Sequence, residues 1–340
     1  MKSLIAFAAL ALASQSFPAR ADAVEDFYRG KTLSMTIGTS AGNDYDFRAR
    51  LVARHMPKFI PGNPQIVSRN MPGGGGIVPT NWFAKLAPRD GTSLYMIQSN
   101  MMSAQALETQ GVAFDTRKFF WIGNTSQTPN VINSWYTSDV KTIEDAKTKE
   151  LVLGGSIGSA SAVYPVLLNK LIGTKFKLVT GYPGGNELNI ALERGEIQGR
   201  GSNSWASWKS TRPQWLAEKK LIILVQIGLQ RAPDLPDVPT VIELAANDLD
   251  KAVARFISAD TAISRAVITT EGTPPDRVAA LRRAFDATMK DGEFLAEAGK
   301  TQMDISPLSG EESQKIADSI ANTPPEVLAR ARELLGDMLK

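Results

Sequence analysis

Apolar and polar positions along this chain keep switching between a strand period and a helix period. LSMTIG (33–38) reads as a strand, and Asp44 or Asp46 stands where an N-cap would open a helix running through His55. In that helix Phe47, Leu51 and Met56 recur near helical spacing, while Arg48, Arg50 and Arg54 point elsewhere. PQIVSRN (64–70) is a second strand, PGGGGIVPTNWFAKLAP (72–88) a loop leading into a helix, and SLYMIQS (93–99) a third strand. A second series begins after FFWIGNTS (119–126). There LVLGGS (151–156) and FKLVTGY (176–182) read as strands, AVYPVLLNKLIG (162–173) and NELNIALERG (186–195) as helices closed by glycine, and IQGRGS (197–202) and LIILVQIG (221–228) as further strands. A Pro-rich crossing segment, RAPDLPDVPT (231–240), leads into a helix-rich tail in which Pro275 and Asp276 open one helix. The alternation predicts largely parallel sheets covered on both faces, in two α/β domains with a ligand cleft between them. The first domain is expected over 24–123 plus 233–340 and the second over 124–232.

The opening MKSLIAFAALALASQSFPARADA has one Lys, an apolar run over Leu4–Ala13 and a small-x-small site at Ala21-Asp22-Ala23. It reads as a secretory signal peptide over 1–23, cleaved after Ala23, because the run is far shorter than the roughly 20 residues that span a bilayer. With no cysteine among 340 residues there is neither a lipid-attachment site nor a disulfide framework, so a free, periplasmic protein held by its core is expected. A formal net charge of +3 without an Arg/Lys stripe argues against nucleic acid as a partner. The expected state is monomeric.

Gly154-Gly155-Ser156-Ile157-Gly158 matches G-x-S-x-G, the nucleophile elbow of serine hydrolases. That chemistry needs a base, and the one histidine, His55, lies about a hundred residues upstream on a cationic helix, where it reads as a solvated or rim residue. The S-x-x-K escape is missing, since Ser159 and then Ala162 occupy the places a lysine would need. Gly30-Lys31-Thr32 lacks the glycine of a phosphate-binding loop at Glu25, and the Gly73–Gly76 run lacks its lysine. No metal and no cofactor is expected. The same serine loop suits an anion cradle instead: glycines let successive N–H groups converge, a helix start faces them, and Ser156, Ser159 and Ser161 add hydroxyls. IGTSAGNDYDFRARL (37–51) repeats the construction in the first domain. An exported hydrolase using Ser156, or a sensor docking on a membrane receptor, stands as the alternative.

Five stretches, in order, carry a family resemblance: Phe27 to Leu33, Ala41 to Arg50, Asn70 to Gly75, Ala87 to Thr92, and Leu235-Pro236-Asp237-Val238-Pro239-Thr240. Together they resemble the extracytoplasmic solute-binding proteins of the tripartite tricarboxylate transporter family, the Bug proteins. The resemblance implies a type II periplasmic-binding-protein fold that closes by hinge motion, a small carboxylate as ligand, delivery to membrane permease subunits, and no catalysis. It implies a site at Thr39, Ser40, Ala41, Gly42, Asn43, Tyr45 and Asp46 in the first domain and at Ser156, Gly158, Ser159, Ala160 and Ser161 in the second. Tyr182, Gly184, Gly185 and Asn186 form a third loop; Asn203 and Trp205, on the loop after IQGRGS, either meet the distal end of the ligand or, in the case of Trp205 with Trp208, pack between helices. Two departures stand out. Asn43 and Asp44 replace glycines common in the family, so Asp44 and Asp46 either repel a dianion from the cleft or turn away into the helix start. If they repel it, the ligand becomes monoanionic, aromatic or amide-bearing, with Tyr45, Tyr182 and Trp205 to stack on. Ala162 also stands where a histidine often follows the serines.

Overall fold

The computed structural model describes residues 20–339. The expected signal peptide therefore lies outside the described residues except for its last few, which belong to the helix Arg20–Tyr28. That helix buries Val24 and Tyr28 in the core.

Among the described residues eleven strands follow in chain order: β1 (Thr32–Ile37), β2 (Gln65–Asn70), β3 (Ser93–Met96), β4 (Phe120–Asn124), β5 (Asn130–Trp135), β6 (Leu151–Gly154), β7 (Phe176–Val179), β8 (Gly199–Ser204), β9 (Leu221–Ile227), β10 (Ala266–Thr269) and β11 (Leu308–Ser309). They form two sheets, β11-β4-β10-β3-β1-β2 and β7-β6-β8-β5-β9. The first sheet thus draws its strands from both ends of the chain and the second from the middle, giving two α/β domains.

The expectation of largely parallel sheets is corrected. β1 runs parallel to β2 and β3, and β6 to β7 and β8, but β10 is antiparallel to β3 and β4, β11 to β4, and β5 to β8 and β9. Parallel neighbours need a long crossover, usually a helix. β5 arrives directly from β4 in the other sheet and enters its own without one. β5 was also invisible in the apolar pattern, because it is buried along its whole length while carrying Asn130, Asn133 and Ser134.

The first sheet packs Met35, Ile37, Val52, Met96, Val267 and Phe285 into one core. A second core gathers Trp135, Trp205, Trp208 and Trp215 under the second sheet. A third runs from Phe83 and Trp121 through Ile257 to Leu153, Leu167 and Val225, so the two sheets share apolar packing. The final helix, Pro325–Leu335, lies against the helices Ala160–Leu171 and Asp248–Ala259 on that side.

Asp260, at the end of the Asp248–Ala259 helix, is fully buried with Oδ1 unpartnered. Burial pushes its carboxyl up to about 8, opposed only by Ser103. A free aspartate titrates near 3.9, so the folded chain holds a proton that the unfolded chain has already released. Stability from this group is full below about pH 4 and is lost as pH rises toward 8. Asp260→Asn has no such dependence. Between pH 5 and 8, thermal melts of the native protein are therefore expected to fall by several degrees more than those of the variant. Parallel curves would show that Asp260 is ionised when folded.

Candidate functional site

A cleft of about 710 Å³ opens between the two sheets, and the starts of three helices converge on it: Asp44–His55, Ala160–Leu171 and Gly185–Glu193. Each follows a parallel strand through a short loop, so each turns first-turn N–H groups, which have no partner within the helix, toward the strand ends.

In the first domain Asn43, not Asp44 or Asp46, is the N-cap: its Oδ1 accepts from the Asp46 N–H at 3.2 Å, and its Nδ2 donates to the Ser40 carbonyl at 2.6 Å. Asp46 accepts from the Gly42 N–H at 2.9 Å, Arg50 Nε at 2.8 Å and Asn70 Nδ2 at 2.9 Å, which holds it in the helix start. Asp44 does touch the cleft wall, but Arg48 Nε meets both its oxygens at 2.9 and 3.0 Å and Arg265 Nε meets Oδ2 at 2.6 Å. Burial alone would raise its pKa; Arg48 and Arg265 outweigh that and hold it at about 2. Neither carboxylate is free to repel an anion. Arg265 also lies 4.0 Å over the Tyr45 ring, whose hydroxyl accepts from the Ser99 N–H at 3.2 Å.

In the second domain the serine hydroxyls organise the loop. Ser156 Oγ donates to the Tyr182 carbonyl at 2.9 Å, Ser159 Oγ to the Ser156 carbonyl at 2.7 Å, and Ser161 Oγ accepts from the Ser156 N–H at 3.0 Å. The donors left facing the cleft are the first-turn amides around Ala160 and Ser161. Among the described residues, no histidine, lysine or carboxylate is hydrogen-bonded to Ser156. His55 sits between helices instead, with Nε2 at 2.7 Å from Glu297 and Nδ1 at 3.6 Å from Asp291. Of the two readings expected, solvated or rim, the half-buried His55 departs from the first, since it bridges two carboxylates.

The cleft brings together Thr39, Ser40, Asn43, Tyr45, Ser156, Ser159, Ala160, Ser161, Tyr182, Gly184, Gly185 and Asn203. Ala41, Gly42, Gly158 and Asn186 lie at its rim, where the domains touch. Asn186 Nδ2 donates to the Ala41 carbonyl at 3.2 Å, and Asn100 Nδ2 to the Gly158 carbonyl at 3.1 Å. Trp205 is elsewhere: its ring is buried in the tryptophan core and its Nε1 donates to Asp234 at 2.8 Å. Asp46 is likewise behind the wall.

Sequence reading missed the strand-end residues Gln98, Ser99 and Asn100, the Pro72–Gly76 loop, and two arginines, Arg200 and Arg265. The signal for Arg200 was present, as a lone cation between Gly199 and Gly201 in the strand expected over IQGRGS. Gly201 is required there, since a Cβ would come within 2.0 Å of the Ser161 carbonyl oxygen. Arg200 is only 6% exposed. Its Nη1 donates to Asn189 Oδ1 at 2.9 Å, its Nε has no partner, and it forms no ion pair with any described residue. Burial, with Arg212 nearby, pushes its pKa down to about 9.

A family model described as the tripartite tricarboxylate transporter family receptor matches residues 48–330. A UPF0065 protein in the gbd 5′ region of Cupriavidus necator is 26% identical over 309 residues, covering 88% of this chain and 86% of its own. Among solved structures, an R. palustris protein determined with adipate has a TM-score of 0.69 at 17% identity, covering 90% of this chain and 97% of its own. MatC of Rhodopseudomonas palustris with bound malate has a TM-score of 0.64 at 20% identity, covering 90% and 98%. At these identities the structures establish the shared fold.

Proposed function

The chain belongs to the tripartite tricarboxylate transporter receptor family, and from that premise we propose that it captures a small organic carboxylate in the interdomain cleft and presents it to membrane permease subunits. The observation that carries the proposal is the convergence of three helix starts on one cavity whose only wall carboxylate, among the described residues, is held by two arginines. A carboxylate placed there accepts from amides of the Thr39–Asp46 and Ser156–Ser161 loops. The ligands of the adipate- and malate-bound neighbours are carboxylates, which supports the same ligand class here. Periplasmic placement after removal of residues 1–23 fits such a role. Among the described residues no helix is long and apolar enough to cross a membrane.

The test is a thermal-shift screen of the mature chain against mono-, di- and tricarboxylates, aromatic acids and amino acids. A ligand at 100 times its Kd adds about 2.7 kcal/mol to stability, enough to raise the melting temperature by several degrees. Silence across every carboxylate class overturns the proposal. Catalysis has no support in the geometry of Ser156. Esterase substrates are therefore expected to turn over no faster with the native protein than with Ser156→Ala, and a difference between them would revive the hydrolase reading.

A further inference from the structure

We propose that the helix Trp205–Thr211 braces the junction between the two domains, and that the Lys209 ammonium on it is an ionic latch whose bond to Asp304 sets how far the domains rest closed. The latch is a property of the chain itself and is independent of which solute the cleft takes.

The chain passes between the sheets twice, over residues 125–129 from β4 to β5 and after β9, where the 231–240 segment leads back. The brace touches both crossings. The Trp205 N–H donates to the Pro129 carbonyl at 2.9 Å, the Ala206 N–H to Thr128 Oγ1 at 3.2 Å, and Trp205 Nε1 to Asp234 at 2.8 Å. Trp205 and Trp208 anchor the same helix in the tryptophan core, so it moves with the second sheet. Its other end reaches the first domain. Ser210 Oγ donates to Asp44 Oδ1 at 3.2 Å, and Lys209 Nζ meets Asp304 Oδ2 at 2.8 Å. Asp304 is held in place by its backbone: its carbonyl accepts from Arg48 Nη1 at 2.6 Å, and two residues on the Ser306 N–H donates to the Thr125 carbonyl at 3.1 Å.

Lys209 has a second partner, Asp234 Oδ2, at 3.1 Å. Asp234 is tied to the same helix through Trp205, so this bond survives a change of domain angle, whereas the bond to Asp304 does not. The arrangement makes the latch reversible. The Lys209 side chain is only 24% exposed, and without Asp234 it would lose its sole counter-ion on opening, a costly step for a half-buried charge. With Asp234 retained, opening releases only Asp304, which is 49% exposed and hydrates readily. Pairs this open to water shift an equilibrium by a few-fold, enough to bias closure without preventing release. Ser204, the N-cap of the brace, and Ser207 in its first turn line the cleft, so a solute there acts on the same rigid element as the latch.

The chain has no cysteine, so Lys85→Cys and Lys177→Cys, exposed positions on the first and second domains, accept a dye pair in the full mature chain. Single-molecule energy transfer then counts open and closed molecules with no solute added. In that labelled background Asp304→Asn is expected to raise the open-to-closed ratio about fivefold, and Asp304→Glu to return it to within about twofold of native. Raising sodium chloride from about 50 mM to about 1 M, where the Debye length falls to about 3 Å, should move the native protein to the variant's ratio and leave the variant unmoved. An unchanged ratio in Asp304→Asn at low salt overturns the latch. A variant that differs from native by the same factor at both salt levels has only a loosened loop, and that result overturns it too. Failure of every carboxylate to bind would instead strike the receptor proposal, because these counts are made without one.

Discussion

Asp44→Asn is expected to lose about 3–5 kcal/mol of folding stability, the cost of breaking a buried ion pair from one side. Asp44 is 2% exposed and is shared by Arg48 and Arg265, both buried themselves. Its amide replacement leaves two guanidiniums facing each other without a counter-ion. Arg48 has no ready substitute: Nη1 is occupied by the Asp304 carbonyl at 2.6 Å and Nη2 has no partner at all. The same contact fixes the acid limit of the fold. Because the folded pKa of Asp44 is held near 2, below its unfolded value of about 3.9, the contribution is complete above pH 4 and is lost as pH falls toward 2. Urea titrations of native and variant protein at pH 7 and pH 3 check both statements. The gap should be large at pH 7 and smaller at pH 3. A variant as stable as the native protein at neutral pH would mean that the triad is not formed. The triad also bears on the question raised by the sequence, whether Asp44 repels a dianion, because two buried arginines offset its charge.

Gly75→Ala is expected to weaken ligand binding by about 100-fold, or about 2.7 kcal/mol, while costing the unliganded protein only about 1 kcal/mol. The loop Gly73–Gly76 meets the serine loop backbone to backbone. A Cβ on Gly75 would lie 2.1 Å from the Gly158 carbonyl carbon, and one on Gly158 2.8 Å from the Gly74 carbonyl oxygen. Gly75 also has φ +61°, which costs any other residue something in either state. The clash exists only while the domains are in contact, so it acts on closure and leaves each domain intact. Titration calorimetry gives the affinity, and small-angle scattering shows whether saturating ligand still compacts the variant. Native affinity together with native compaction would remove this contact from the closing step.

How far the sequence could be read depended on where the information sits. Apolar strands such as β1, β6 and β9 and amphipathic helices such as Asp44–His55 announce themselves in local periodicity. β5 does not, because its Asn and Ser side chains find partners only once β8 and β9 flank it. Strand direction was likewise out of reach, since β5 and β10 take theirs from the return of the chain between domains. The glycine and serine loops were legible because turn chemistry is local. The roles of individual groups were not. Asn43 took the cap expected of an aspartate, Trp205 turned into the core toward Asp234, and Arg200 stayed hidden between Gly199, which abuts the Asn133 carbonyl, and Gly201, which abuts that of Ser161.

Trp208 sits under Arg200, fully buried, with its indole N–H unpartnered and Trp215 tilted against it at 5.8 Å. Light absorbed by an indole moves electron density across the ring, so the emission colour depends on fixed charges nearby. An anion neutralising the guanidinium 5.1 Å away changes that field without touching the ring. Of the chain's six tryptophans, Trp208 is thus the one placed beneath the cleft-wall Arg200, where its emission is expected to respond to charge entering the cleft.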